Sequence, residues 1–152
     1  MRQIPVYFQA SDRIATSGQP SFQQFADIAA AGYSVVINLA LTTSTHAISN
    51  EREIVEALGM LYVPIPVSWE TPQLADVQEF FAAMAKFAGK KIWVHCALNM
   101  RASCFIYLYK KCVLKMAEAH ALFPMSAIWQ PTGAWENLIT AAVAQYAPQP
   151  LS

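Results

Sequence analysis

The stretch WVHCALNMRAS, residues 93–103, decides how this chain is read. With the two residues before it, KIWVH (91–95) has the apolar composition of a strand. From Arg101 to about residue 116 the chain reads as a helix, and between the two lie Cys96 and the four residues ALNM. A thiol at a strand end, facing a helix start, meets unpaired N–H groups and the positive end of the helix dipole. Arg101 adds a fixed charge, and a short curled loop can aim its backbone amides inward as an anion nest. That setting favours the thiolate over the thiol. The same donors would bind an incoming oxyanion and stabilise charge developing on it. Cations are disfavoured at helix N-termini, so an arginine there asks for an anion. Cys96 is therefore a candidate nucleophile and Arg101 an oxyanion clamp, with the backbone of Ala97, Leu98, Asn99, Met100 and Arg101 as the cradle. A tight curl needs a residue at positive φ, and in a loop without glycine Asn99 is the residue that fits. The plainer alternative makes Cys96 a small apolar residue at a strand end and Arg101 a surface charge.

Outward from this loop, strands and helices alternate. VYF (6–8) and RIAT (13–16) flank a polar turn and predict a hairpin. Ser21 and Gln24 make a capping box for a helix that Gly32 ends. VVINLAL (35–41) reads as a strand covered on both faces. Asn50 and Glu53 make a second box before a helix ending near Gly59. LYVPIPV (61–67) reads as a strand whose two prolines place it near a sheet edge. Thr71 as cap and Pro72 as first residue open a long helix that Gly89 stops, with Asp76 as its first-turn dipole partner. After Arg101 the spacing predicts helices over 101–116, 117–129 and 133–146, with turns at Gly18 and Gly133. Right-handed crossovers then give an α/β fold: three layers, a mostly parallel sheet flanked by helices. Ligands of such sheets bind beyond the carboxyl ends of the strands, which is where Cys96 falls.

The chain has 152 residues, enough for one domain spanning 1–152. Ten Lys+Arg balance ten Asp+Glu, which argues against a nucleic-acid or anionic-membrane binder. No run reaches the ~18 apolar residues of a membrane span. The N-terminal MRQIPVYFQA lacks the apolar core of a signal peptide, so a cytoplasmic location is expected. Three cysteines without paired spacing do not make a disulfide framework. With 55% hydrophobic residues, the composition hints at a homo-oligomer. His46 and His120 form no metal spacing, so neither metal nor organic cofactor is implied. Cys104 and Cys112 fall at core spacing with Leu108, Trp129 and Trp135 read as core aromatics, and Lys110, Lys111 and Lys115 read as one solvated helix face.

VHC followed by Arg101 and a helix resembles the cysteine-dependent protein tyrosine and dual-specificity phosphatases. SGQPS (17–21), VVINL (35–39) and YVPIPV (62–67), in that order, resemble a bacterial phosphatase-like domain also found fused to beta-lactamase-like hydrolases. The resemblance covers about residues 6–145. It implies a dual-specificity-phosphatase-like fold, a phosphate ester or other small oxyanion as substrate, and Cys96 forming a phosphocysteine. It also implies that Arg101 binds the phosphoryl oxygens and that His95 props the cysteine backbone.

Three features depart from that pattern. The Cys96–Arg101 loop has four intervening residues where the phosphatases have five, a length typical of rhodanese-like sulfurtransferases, whose loop surrounds one persulfide sulfur. The hydroxyl expected after the arginine is replaced by Ala102, with Ser103 one residue later as the supporting hydroxyl within reach of the thiolate. The general-acid loop, VSWETP (67–72), has no aspartate, leaving Glu70, which burial beside Trp69 would tune toward a useful pKa. Two alternatives therefore stand beside a phosphatase: a sulfurtransferase using a Cys96 persulfide, and a catalytically inactive anion-binding or partner-binding module.

Overall fold

The computed structural model describes residues 3–147. Five strands form one sheet: β1 (Phe8–Gln9), β2 (Ile14–Ser17), β3 (Val35–Asn38), β4 (Leu61–Pro64) and β5 (Ile92–His95), in the order β1-β2-β5-β3-β4. Only the β1–β2 hairpin is antiparallel; β2, β5, β3 and β4 run parallel. In the central register Ser17 and Asn38 both lie opposite His95, so three strands end level with one another and open onto one face of the molecule.

Alternation along the strands sorts the core into two layers. Ile37, Val94 and Ile92 pack with Phe80, Phe105, Leu108 and Leu138, which belong to α3 (Leu74–Lys86), α4 (Met100–Leu108) and α6 (Ala134–Tyr146). Val36 and Trp93, pointing the other way, pack with Phe25, Ile28 and Val55 from α1 (Phe22–Ala30) and α2 (Glu51–Ala57). The three-layer α/β architecture is the one the alternating pattern predicts. A short α5 (Glu118–Ala121) completes the helices. No helix among the described residues is long and apolar enough to cross a membrane.

Several boundaries differ from the sequence reading, each for a local reason. The capping box of Ser21 and Gln24 forms as expected, but Asn50 makes no side-chain cap. α3 begins at Leu74 rather than Pro72, because the Gln73 N–H donates to Asp76 Oδ2 (3.0 Å) while the Thr71 N–H turns to Ser68 Oγ (3.3 Å). β4 stops at Pro64 and lies at the sheet edge, as its prolines require. The helix over 101–116 changes at Tyr109–Val113 into a π-helical turn. That wider turn rotates Lys110 inward, correcting the reading of three solvated lysines. Lys110 is buried and its Nζ donates to the Phe123 carbonyl (2.8 Å), and burial pushes its pKa down. Lys111 pairs with Glu118 (3.0 Å), and Lys115 donates to the Tyr146 carbonyl (2.6 Å).

Candidate active site

The site is built by the turn that carries the chain from β5 into α4. The Cys96 N–H donates to Ser17 O (3.3 Å), extending the β2–β5 ladder by one residue. The Ala97 carbonyl then accepts the Gln19 N–H (3.0 Å) and lies against Gly18. A Cβ on Gly18 would stand 2.6 Å from that carbonyl oxygen. Neither side of this contact is a flexible side chain, so Gly18→Ala forces the Cys96 loop to move. We expect it to cost about 1–3 kcal/mol, read as a fall in thermal midpoint, with loss of any Cys96-dependent activity at temperatures where the variant remains folded.

The curl is completed at Asn99, whose φ of 64° and ψ of 12° are left-handed, as the glycine-free loop requires. Its side chain is fully buried, and Nδ2 donates to Val6 O (2.8 Å) and Thr16 Oγ1 (3.0 Å), pinning the loop to the hairpin. The turn brings the Ala102 N–H to 3.4 Å from Cys96 Sγ, so the sulfur sits on the first turn of α4. The amides of that turn have no intrahelical acceptors and face the same end of the helix.

Arg101 crosses the mouth of the loop. Its Nη1 donates to Val67 O (2.9 Å) and Nη2 to Ser44 Oγ (3.3 Å), and only 7% of the residue is exposed. The guanidinium is thus a fixed wall of a cleft of about 370 Å³, lined also by Leu41, Trp69, Glu70, Cys96 and Leu98. Arg101 and Glu70 are the charged residues among the lining residues described. The cleft is at the small end of ligand pockets, which run from about 300 to 1,000 Å³.

Glu70 lines the cleft but is exposed rather than buried, with Ser68 Oγ donating to its Oε2 at 3.5 Å. The burial beside Trp69 expected for it is therefore absent, because Trp69 itself stands out from the rim, 40% exposed. Trp69 packs on Trp129 and Trp135, each with ring centroids 5.4 Å from its own, and its carbonyl accepts the Trp135 Nε1–H (2.9 Å). The late tryptophans thus back the cleft wall. The Ser103 hydroxyl is committed to its own helix: it donates to Met100 O (3.1 Å) and accepts the Trp129 Nε1–H (3.2 Å). Cys104 and Cys112 are buried, and burial pushes both thiols up, away from reactivity.

Behind the loop His95 stands where it was expected, against the cysteine backbone, but its buried partner Glu51 is one that sequence reasoning missed. His95 Nδ1 is 3.2 Å from the Cys96 carbonyl oxygen, and His95 Nε2 is 2.6 Å from Glu51 Oε2. The other Glu51 oxygen accepts from Gln19 Nε2 (2.7 Å), and Tyr62 stands near the same carboxylate. Burial alone would raise the Glu51 pKa, but the charge and hydrogen bond of His95, with Gln19 and Tyr62, outweigh it and hold the carboxyl below its ordinary value. A carboxylate depressed in the folded state contributes stability that is fully present above its unfolded pKa and lost as pH falls through the folded one. Acid unfolding of the native chain should therefore steepen below the ordinary carboxylate range. Glu51→Gln should flatten that part of the stability curve, as thermal midpoints measured against pH would show.

Among the described residues no group of three or more His, Cys, Asp or Glu side chains could hold a metal ion.

No family model matches the chain. A solved structure from Shewanella putrefaciens CN-32, called a "putative phosphatase (DUF442)", is 38% identical, with a TM-score of 0.86 over 95% of this chain and 95% of that one. Kinase associated phosphatase shares the fold at 13% identity, with a TM-score of 0.74 over 97% of this chain and 99% of the other. A Beta-lactamase hydrolase-like protein of Xylella fastidiosa (strain Temecula1 / ATCC 700964) is 34% identical over 95 residues, which are 60% of this chain and 22% of that protein. The chain thus spans about a fifth of the length of the curated relatives it matches. The three-layer sheet with a cysteine loop at its carboxyl edge is the dual-specificity-phosphatase fold.

Proposed function

The chain belongs to the DUF442 family, and from that premise we propose that it is a cysteine-dependent hydrolase of small phosphate monoesters with Cys96 as nucleophile. The observation that carries this reading is the placement of Cys96 Sγ on the first turn of α4, 3.4 Å from the Ala102 N–H, with Arg101 fixed across the mouth. Fold alone does not assign an activity; the nucleophile and anion donors sharing one cleft do. The structural neighbour kinase associated phosphatase has a cysteine in its catalytic site.

In this reading the Cys96 thiolate attacks phosphorus, forming an S–P bond as the ester P–O bond breaks. The phosphoryl oxygens lie against Arg101 and the amides of Ala97 to Arg101, which stabilise the charge they carry. Glu70 protonates the leaving oxygen. Water then attacks the phosphocysteine, giving its proton to the Glu70 carboxylate, and phosphate leaves with the thiolate restored. Because Glu70 is exposed and held only by Ser68, the acid contributes little, and aryl phosphates, whose leaving oxygens need no proton, turn over far faster than alkyl phosphates. With one cation in the described cleft lining, the substrate presents one anionic group.

The four-residue loop favours a second reading, in which Cys96 takes the sulfane sulfur of a thiosulfate-type donor. The thiolate attacks that sulfur, sulfite departs, and the persulfide passes to a nucleophilic acceptor such as cyanide. This route needs neither a general acid nor the hydroxyl missing at Ala102. Parallel assays of the reduced protein separate the two: p-nitrophenyl phosphate hydrolysis from about pH 5 to about pH 8, and thiocyanate formation from thiosulfate and cyanide. Phosphate release without thiocyanate supports the hydrolase; thiocyanate alone overturns it.

A further inference from the structure

We infer that Glu51, 45 residues upstream of the nucleophile in the chain, is a positioning residue for Cys96: it fixes His95 as a buried imidazolium whose second N–H holds the Cys96 carbonyl. The argument is one of hydrogens. Both ring nitrogens of His95 face oxygen: Nε2 faces Glu51 Oε2 at 2.6 Å and Nδ1 faces the Cys96 carbonyl at 3.2 Å. A carbonyl oxygen cannot donate, so Nδ1 carries a hydrogen. The proton between Nε2 and Glu51 belongs to the ring, because the carboxylate already accepts from Gln19 Nε2 at 2.7 Å, and such a donor favours its ionised form. Both nitrogens are then protonated, in a residue with no exposed surface, against a carboxylate 3% exposed.

The other groups around the pair do not supply this role. Phe25 meets the imidazole edge-on at 6.0 Å. Tyr62 accepts from Asn38 Nδ2 (2.9 Å), and Arg52 lies over the Tyr62 ring at 5.2 Å and pairs with Glu56 (3.1 Å). Glu51 is thus the anion that keeps the ring charged. Cys96 consequently works between Arg101 at the mouth of the loop, where the substrate anion sits, and the N–H donor of the His95–Glu51 pair behind it. The His95 N–H also fixes the peptide that aims the sulfur at the first turn of α4.

The inference rests on Cys96 being the working nucleophile, but both readouts are taken without substrate, so failure of the phosphatase reading leaves them meaningful. The first is the ¹⁵N spectrum of the His95 ring in the native protein near neutral pH. Two protonated nitrogens are expected; a neutral ring with one bare nitrogen overturns the inference, whatever any variant does. The second is the rate at which iodoacetamide alkylates Cys96 at neutral pH, compared among the native chain, Glu51→Gln and Ile54→Val. Ile54 lies on the same helix and is buried in the core, so its shortening disturbs α2 without touching the pair. Glu51→Gln should leave a neutral ring with a weaker hold on the Cys96 carbonyl and slow alkylation by about tenfold, the scale on which one hydrogen bond to the charged form shifts a thiol, while Ile54→Val stays near the native rate. Equal slowing in both variants, or none in Glu51→Gln, would show Glu51 to be only part of the packing.

Discussion

Cys96→Ser is expected to reduce p-nitrophenyl phosphate turnover by at least about a thousandfold, to the level of buffer alone, while the protein stays folded. The reasons are separable. A serine hydroxyl fits the space of the thiol and can still accept the Ala102 N–H, so the loop keeps its shape. At neutral pH, however, serine is almost wholly protonated, and a hydroxyl is a far weaker nucleophile than a thiolate. Oxyanion binding should survive, because its donors are backbone amides and Arg101. The check pairs kcat with the affinity for phosphate or vanadate: kcat collapses and the affinity changes little. Loss of both together would mean that the thiolate shapes the anion site rather than acting in it.

Arg101→Lys is the second large effect, expected to lower kcat/KM by about a hundredfold or more. Lysine keeps the charge but not the fork that reaches Val67 O and Ser44 Oγ at once. A backbone carbonyl at a buried position would lose its donor, which costs about 1–3 kcal/mol, so the thermal midpoint should fall as well. Arg101→Met removes the charge besides, and its loss should exceed that of the lysine variant. Matching losses in the two variants would show that the arginine acts by packing alone.

Much of this arrangement was legible before the structure because local physics sets it. The order of strands and helices implies a parallel sheet, and a sheet of that kind opens its ligand edge where Cys96 lies. A curled loop without glycine leaves Asn99 to take the left-handed conformation, which it does at φ 64°. Two prolines put β4 at the edge of the sheet.

What stayed hidden depends on partners distant in the chain. Glu51 looks like an ordinary first-turn acid of α2, and nothing nearby in the sequence says that His95, across the sheet edge, receives it. Lys110 looks solvated at α-helical spacing, and only the π-helical turn from Tyr109 to Val113 rotates it inward. Ser103 sits close enough in sequence to suggest a partner for the thiolate, yet its hydroxyl is taken by Met100 and Trp129. The exposure of Glu70 follows from how the 67–72 loop lies on the tryptophan cluster, which no residue spacing encodes.

The most direct test of the central claim is the mass of Cys96 itself, read by acid quench and peptide mass spectrometry after the reduced protein meets an aryl phosphate. The account predicts a transient gain of one phosphoryl group on the peptide holding Cys96, absent from Cys96→Ser and from the peptides holding Cys112. A Cys96 that stays unmodified with the aryl phosphate but gains one sulfur atom from thiosulfate would contradict it, and would make this loop a persulfide carrier.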